Sequence, residues 1–121
     1  MTGNQECLLA TFKMPTTWSN DFVESIGERL IIQLKLKRLG FHSFLYNHGN
    51  SQFGGATLIW FLAESHLILE TFRESSVLEM ELATCKRGLD PQKYFDIFKD
   101  NQLDPICTQF LSKDLENRWL V

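Results

Sequence analysis

From Glu6 to Lys13 the chain reads as a strand, with Cys7, Leu9 and Phe12 among its apolar positions, and Pro15-Thr16-Thr17 ends it. Ser19, Asn20 and Asp21 then offer N-cap oxygens, and Phe22, Val23, Ile26, Leu30 and Leu34 recur at spacings of three and four. That period predicts a helix with one apolar face, running to about Leu39 and closed by Gly40 as a left-handed cap. Phe41 to Tyr46 is expected to form a second strand, followed by the polar turn Asn47-His48-Gly49-Asn50-Ser51. Gly54-Gly55 opens an apolar run to Leu62, and His66 to Phe72 is its expected partner. Glu74-Ser75-Ser76 makes a turn into Val77 to Thr84, where Leu78, Met80 and Leu82 alternate with Val77, Glu79 and Glu81. This is the pattern of a half-buried strand. Asp90-Pro91 starts a second helix with a carboxylate cap and a proline at the first position, and Tyr94, Phe95 and Phe98 supply its apolar face. Leu103 to Phe110 offers a last strand.

The order strand, helix, antiparallel strands, helix, strand predicts an α+β fold, a two-layer sandwich with two helices on one face of an antiparallel sheet. The other face then needs a cover. A second copy of the chain is the simplest one, making a homodimer, although the glutamates of the Val77–Thr84 strand also suit water.

Composition narrows the classes. A length of 121 residues fits one domain over residues 1–121, with 44% apolar and 22% charged residues as in ordinary globular proteins. A net charge of −3 gives no reason to expect nucleic acid or an anionic membrane as partner. The longest apolar stretch, around Leu58 to Leu62, is too short to span a bilayer, and Met1 to Glu6 lacks the features of a signal peptide. Cys7, Cys85 and Cys107 form no Cys-x-x-Cys pair, so reduced thiols and a cytoplasmic protein are expected. His42, His48 and His66 have no metal-ligand spacing, and no metal is expected. Lys35, Lys37 and Arg38 suit the dipole at the end of the first helix.

Between the two central apolar runs stands Ala63-Glu64-Ser65-His66-Leu67, an unusual corner for three polar residues. It is either a hydrogen-bonded strand corner or a site. Leu62-Ala63-Glu64-Ser65-His66-Leu67, then Glu74, then Thr84-Cys85, resembles the short prokaryotic S-adenosylmethionine decarboxylase proenzymes. That family carries a Glu-Ser-His-(Leu/Ile) cleavage motif, a following His-Thr-Trp-Pro-Glu segment and a Thr-Cys-Gly at the end of a later strand. Cys85 lies twenty positions after Ser65, the family spacing. Asp90-Pro91-x-Lys93 and Cys7-Leu8-Leu9-Ala10-Thr11-Phe12 resemble the family's second helix start and first strand. The similarity spans roughly residues 5 to 110.

The resemblance implies cleavage between Glu64 and Ser65, giving a β-chain of residues 1–64 and an α-chain of residues 65–121. Ser65 would become a covalent pyruvoyl cofactor, whose ketone forms a Schiff base with the substrate amine and accepts electrons as carbon dioxide leaves. By the same resemblance Cys85 is the acid that returns a proton, Thr57 stands for the family's processing serine, and Glu70 falls where the family has its processing histidine. Phe53, His66, Phe72 and Glu74 fall on the substrate side; in the family the carboxylate at the position of Glu74 binds ribose. The implied role is a step of polyamine (spermidine) synthesis, with S-adenosylmethionine as substrate.

The departures leave alternatives open. Glu70 is a weaker base than histidine unless burial raises its pKa. It suits equally the recognition of a cationic side chain, as in family members shifted to L-ornithine or L-arginine. It also fits an unprocessed, inactive homologue that binds or regulates, or a plain glutamate facing solvent. Cys7, Thr11 and Lys86 replace the family's His, Asp and Gly. For Cys85 the plain alternative is a small residue at a strand end, and for Phe53 a core position.

Overall fold

A computed structural model of the chain describes residues 5–14, 18–45, 55–63, 65–72, 75–85, 91–113 and 119–120. In chain order the elements are β1 (Gln5–Lys13), α1 (Asn20–Gln33), β2 (Arg38–Leu45), β3 (Ala56–Leu62), β4 (Ser65–Phe72), β5 (Val77–Thr84), α2 (Pro91–Asp100), β6 (Asp104–Lys113) and β7 (Trp119–Leu120). The strands form one sheet in the order β2-β3-β4-β5-β1-β6-β7, and each neighbouring pair is antiparallel. The first strand is thus inserted between β5 and β6.

Strand alternation sorts the side chains by face. Leu8, Ala10 and Phe12 of β1, Leu58 and Trp60 of β3, Leu67 and Leu69 of β4, and Leu78, Met80 and Leu82 of β5 are buried. They share one core with Val23, Ile26 and Leu30 of α1 and Tyr94, Ile97 and Phe98 of α2. Both helices therefore lie on one face, as the α+β sandwich predicted from the sequence requires. Phe98 meets Phe12 edge-on at 4.7 Å between ring centroids. Arg29 Nη1 donates to Asn101 Oδ1 at 3.2 Å, tying α1 to the end of α2. No described helix is long and apolar enough to cross a membrane.

Trp60 is the largest of the fully buried side chains. Its ring packs so closely on α1 that a Cβ at Gly27 would stand 2.3 Å from its outer carbon. The indole Nε1 donates to Glu28 Oε1 at 2.9 Å, and the same oxygen accepts from Arg38 Nε at 2.9 Å. A mid-helix glycine and its neighbouring glutamate thus seat one tryptophan.

The end of α1 differs from the sequence expectation. Ser19 caps its start as expected, accepting from the Phe22 N–H at 3.1 Å. The helix stops at Gln33, however, and Gly40 is not its cap but a residue of β2, next to a register shift. The apolar stripe runs out after Leu34, because the positions that would continue it are Lys37 and Arg38. Lys35 takes the left-handed position instead, at φ 57°. Its N–H donates to the Ile32 carbonyl at 3.1 Å, and the Leu36 N–H donates to that of Ile31 at 3.0 Å. This is a Schellman turn built on a lysine, which costs about 1 kcal/mol relative to glycine. Lys35, Lys37 and Arg38 consequently lie beyond the helix, whose last turn holds no basic residue. They do not serve its dipole from within that turn. β2 starts at Arg38 rather than Phe41, β6 runs on to Lys113, and β7 was not foreseen.

Candidate active site

The β4–β5 hairpin sets Ser65 directly opposite Thr84. Both stand on the helix-covered side, and the Ser65 hydroxyl donates to Thr84 Oγ1 at 3.1 Å. Thr84 is buried, Ser65 half-buried, and Cys85 follows where the strand ends. The connection between α1 and β2 closes over the same end of the sheet, where the Ala63 N–H donates to the Lys37 carbonyl at 2.9 Å. Together these segments make a shallow cavity of about 260 Å³, lined by Lys35, Lys37, Ala63, Ser65, Thr84 and Cys85, with Leu36 beside them. Two residues twenty positions apart, a serine after a tight corner and a cysteine at a strand end, thereby share one space.

Thr57 and Glu70 stand elsewhere. They face each other across β3 and β4 on the uncovered side of the sheet, and Glu70 is also opposite Glu79 of β5. Ser65 and Glu70 are five residues apart on one strand, so they occupy opposite faces, roughly 17 Å apart along it. Glu70, Glu79 and Glu81 line a groove of about 390 Å³ with Leu9, Thr11 and Ile68 among its walls. No three described His, Cys, Asp or Glu residues are grouped to hold a metal ion.

His66, next to Ser65, also turns to the uncovered face, where its Nε2 lies 2.9 Å from Glu81 Oε2. Phe72 is on that face as well and is 42% exposed. The structure therefore gathers Ser65 and Cys85 into one place, and Thr57, His66, Glu70 and Phe72 onto another. Phe53, Glu64 and Glu74 lie outside the described residues, as do the Asn47–Ser51 turn and Asp90. Cys7 stands on the uncovered face, away from the Ser65 cavity. Burial, and then the nearby charge of Glu81, push its thiol up from its ordinary value. Tyr94 is raised too, mainly by burial in the core beneath α2 and then by Glu6.

The S-adenosylmethionine decarboxylase family model matches residues 11–105 of this sequence. The chain belongs to that family. Its crystal-structure neighbours include the adenosylmethionine decarboxylase of Aquifex aeolicus, at 18% identity and a TM-score of 0.66, over 99% of this chain and 93% of that one. At that identity the likeness speaks for the fold alone. No curated protein matches the sequence. The Ser65 cavity carries two lysines that the sequence pattern had placed at a helix end, and Thr84 accepts a hydrogen bond from the candidate cleavage residue.

Proposed function

We propose that the chain is a pyruvoyl-dependent decarboxylase of the cytoplasm that matures by cutting itself between Glu64 and Ser65. The observation that carries this reading is the shared cavity of Ser65 and Cys85. The Ser65 hydroxyl attacks the carbonyl carbon of residue 64, and the C–N bond is exchanged for a C–O ester. Thr84 Oγ1, which accepts the hydroxyl proton, holds Ser65 in one rotamer for that attack. Loss of the Ser65 α-proton then expels the residue 64 carboxylate and leaves dehydroalanine, which water converts to the ketone with release of ammonia. A pyruvoyl group at this position fits the site, because the residue that would carry it is half-buried and lines a cavity open to a small molecule. When present it supplies an electrophile for the substrate amine and a sink for the electron pair of the departing carboxylate. Cys85, across the cavity, holds the proton that the substrate carbon takes up.

The substrate proposed is S-adenosylmethionine, in spermidine synthesis. Ornithine and arginine are the alternatives, although Glu70 and Glu79, on the opposite face of the sheet, are not placed to hold the cationic end of a substrate at Ser65. One observation favours a different outcome. The described residues lining the Ser65 cavity include neither a histidine nor a carboxylate, and His66 and Glu70 stand on the opposite face of the same strand. An unprocessed homologue that binds without turnover is the second reading.

Intact mass under denaturing conditions separates the two. We expect two species, residues 1–64 and 65–121, with the second lacking the serine amine. A single full-length species after long incubation overturns the enzyme reading. Release of labelled carbon dioxide from the three substrates then identifies the one used.

The uncovered face points to two copies. Phe44, Phe61 and Phe72 are 48%, 52% and 42% exposed there, beside half-buried Ile59 and Ile68. These apolar side chains are spread along one exposed sheet face, which a second copy would cover. We expect sedimentation to give a homodimer, and Phe61→Glu to shift it to monomer with the helix content retained. A monomeric natural chain at micromolar concentration argues against the second copy.

A further inference from the structure

We propose that Lys35 and Lys37 are the carboxylate-recognising wall of the Ser65–Cys85 cavity, an inference that takes the identity of its ligand from the decarboxylase reading above. The two cavities differ in the sign of the charges that line them. Although its net charge is −3, the described residues lining this cavity include two lysines and no carboxylate. Glu70, Glu79 and Glu81 lie instead along the groove on the other side of the sheet. A small cleft with one sign of charge concentrates ligands of the other sign.

The lysines are held where they can serve this purpose. Lys37 is anchored by its carbonyl to the Ala63 N–H at 2.9 Å, two residues before Ser65. Lys35 occupies a left-handed position at φ 57°, where glycine would be free of strain. Among the described residues the ion pairs are Arg38–Glu28 and His66–Glu81, so neither Lys35 nor Lys37 has its charge spent on a described carboxylate. Both residues are exposed, and their long stems let the ammonium groups turn toward a bound anion.

Chemistry assigns the anion. A substrate whose amine meets residue 65 carries its carboxylate on the adjoining carbon, within the same cavity. The lysines bind that carboxylate before it leaves and have nothing to hold once it has left. They therefore strengthen substrate binding, and they let the product amine go. They do not speed the bond-breaking step, since attraction for the intact carboxylate favours the ground state.

The test is calorimetric titration of the natural chain and of Ser65→Ala, which cannot turn over, with ligand pairs that differ by one carboxylate. S-adenosylmethionine against its decarboxylated amine is the first pair, and ornithine against 1,4-diaminobutane the second. Tighter binding of the carboxylate-bearing member of at least one pair is expected, by about tenfold, and added salt should erode the preference. Lys35→Met and Lys37→Met should each weaken that member about five- to tenfold and leave the amine within about twofold, while Lys37→Arg should keep the preference. Equal weakening of both members, an unchanged affinity when Lys35→Met and Lys37→Met are combined, no carboxylate preference, or no binding of any probe overturns the proposal. A chain that never cleaves yet shows the lysine-dependent preference overturns the decarboxylase reading alone. A chain that cleaves and lacks the preference overturns this inference alone.

Discussion

Gly27→Ala is expected to destabilise the protein by about 3 kcal/mol, a large share of the 5–15 kcal/mol typical of a domain. Two effects oppose each other. Alanine is the better helix former by about 1 kcal/mol, which alone would favour the variant in the middle of α1. The new methyl, however, would lie 2.3, 2.5 and 2.7 Å from three carbons of the Trp60 ring. Real methyl groups do not come so near, so helix and sheet must part or the indole must turn. The indole is not free to turn. It is fully buried, packed at a 45° tilt on Phe41 with ring centroids 4.8 Å apart, and hydrogen-bonded through Nε1 to Glu28. The clash therefore outweighs the propensity gain. Denaturant melts should show a lower midpoint, with a loss of roughly 10 °C in thermal midpoint for a chain of this size. Trp60→Phe costs stability by itself but should cost little more in the Gly27→Ala background, because the colliding carbons are gone. A Gly27→Ala chain as stable as the natural one would show that Trp60 does not seat against α1.

Ser65→Ala is expected to abolish self-cleavage outright. Ester formation needs a side-chain nucleophile two bonds beyond the Cα of the residue after the broken bond, and alanine has none. Ser65→Cys should still cut, through a thioester, which separates the need for a nucleophile from the need for a hydroxyl. Loss of the fold is not the cause expected here, because Ser65 contributes one hydrogen bond, to Thr84, worth about 1 kcal/mol. Circular dichroism should therefore match the uncut precursor. Thr84→Val should slow cleavage and not stop it, as it removes the hydroxyl's partner and leaves the hydroxyl. If Ser65→Ala yields the same two fragments as the natural chain, the break is not made by Ser65.

The two strands that bring Ser65 to Thr84 were legible in the sequence, but the pairing itself was not drawn from them. With the turn placed between Phe72 and Val77, counting back along both strands sets residue 65 opposite residue 84, as observed. The alternation that buries Leu78, Met80 and Leu82 and turns Glu79 and Glu81 outward was equally plain. Even the parting of Ser65 from Glu70 follows from an odd spacing on one strand. Other features depend on contacts between distant segments, which local pattern does not encode. Nothing in Cys7 to Phe12 announces that β1 will lie between β5 and β6. Gly27 looks like a weak point in a helix until Trp60 is laid against it. The end of α1 was misplaced because Gly40 is the commoner capping residue, whereas the apolar stripe had already ended at Leu34. That six-residue difference moved Lys35 and Lys37 out of a helix and into the rim of the cavity.

The place of β1 in the sheet has a bearing on the order of events in the life of the chain. A break at residue 64 leaves β1, α1, β2 and β3 on one piece and β4, β5, α2, β6 and β7 on the other. The pieces are interleaved: β3 remains zipped to β4, and β1 is clasped on both edges by strands of the other piece. The nick therefore changes connectivity without separating the halves. It does change how the protein can be remade. Before the break, recovery from denaturant is a first-order event of one molecule, indifferent to dilution. After it, two molecules must find each other, and recovery becomes second order and fails in dilute solution.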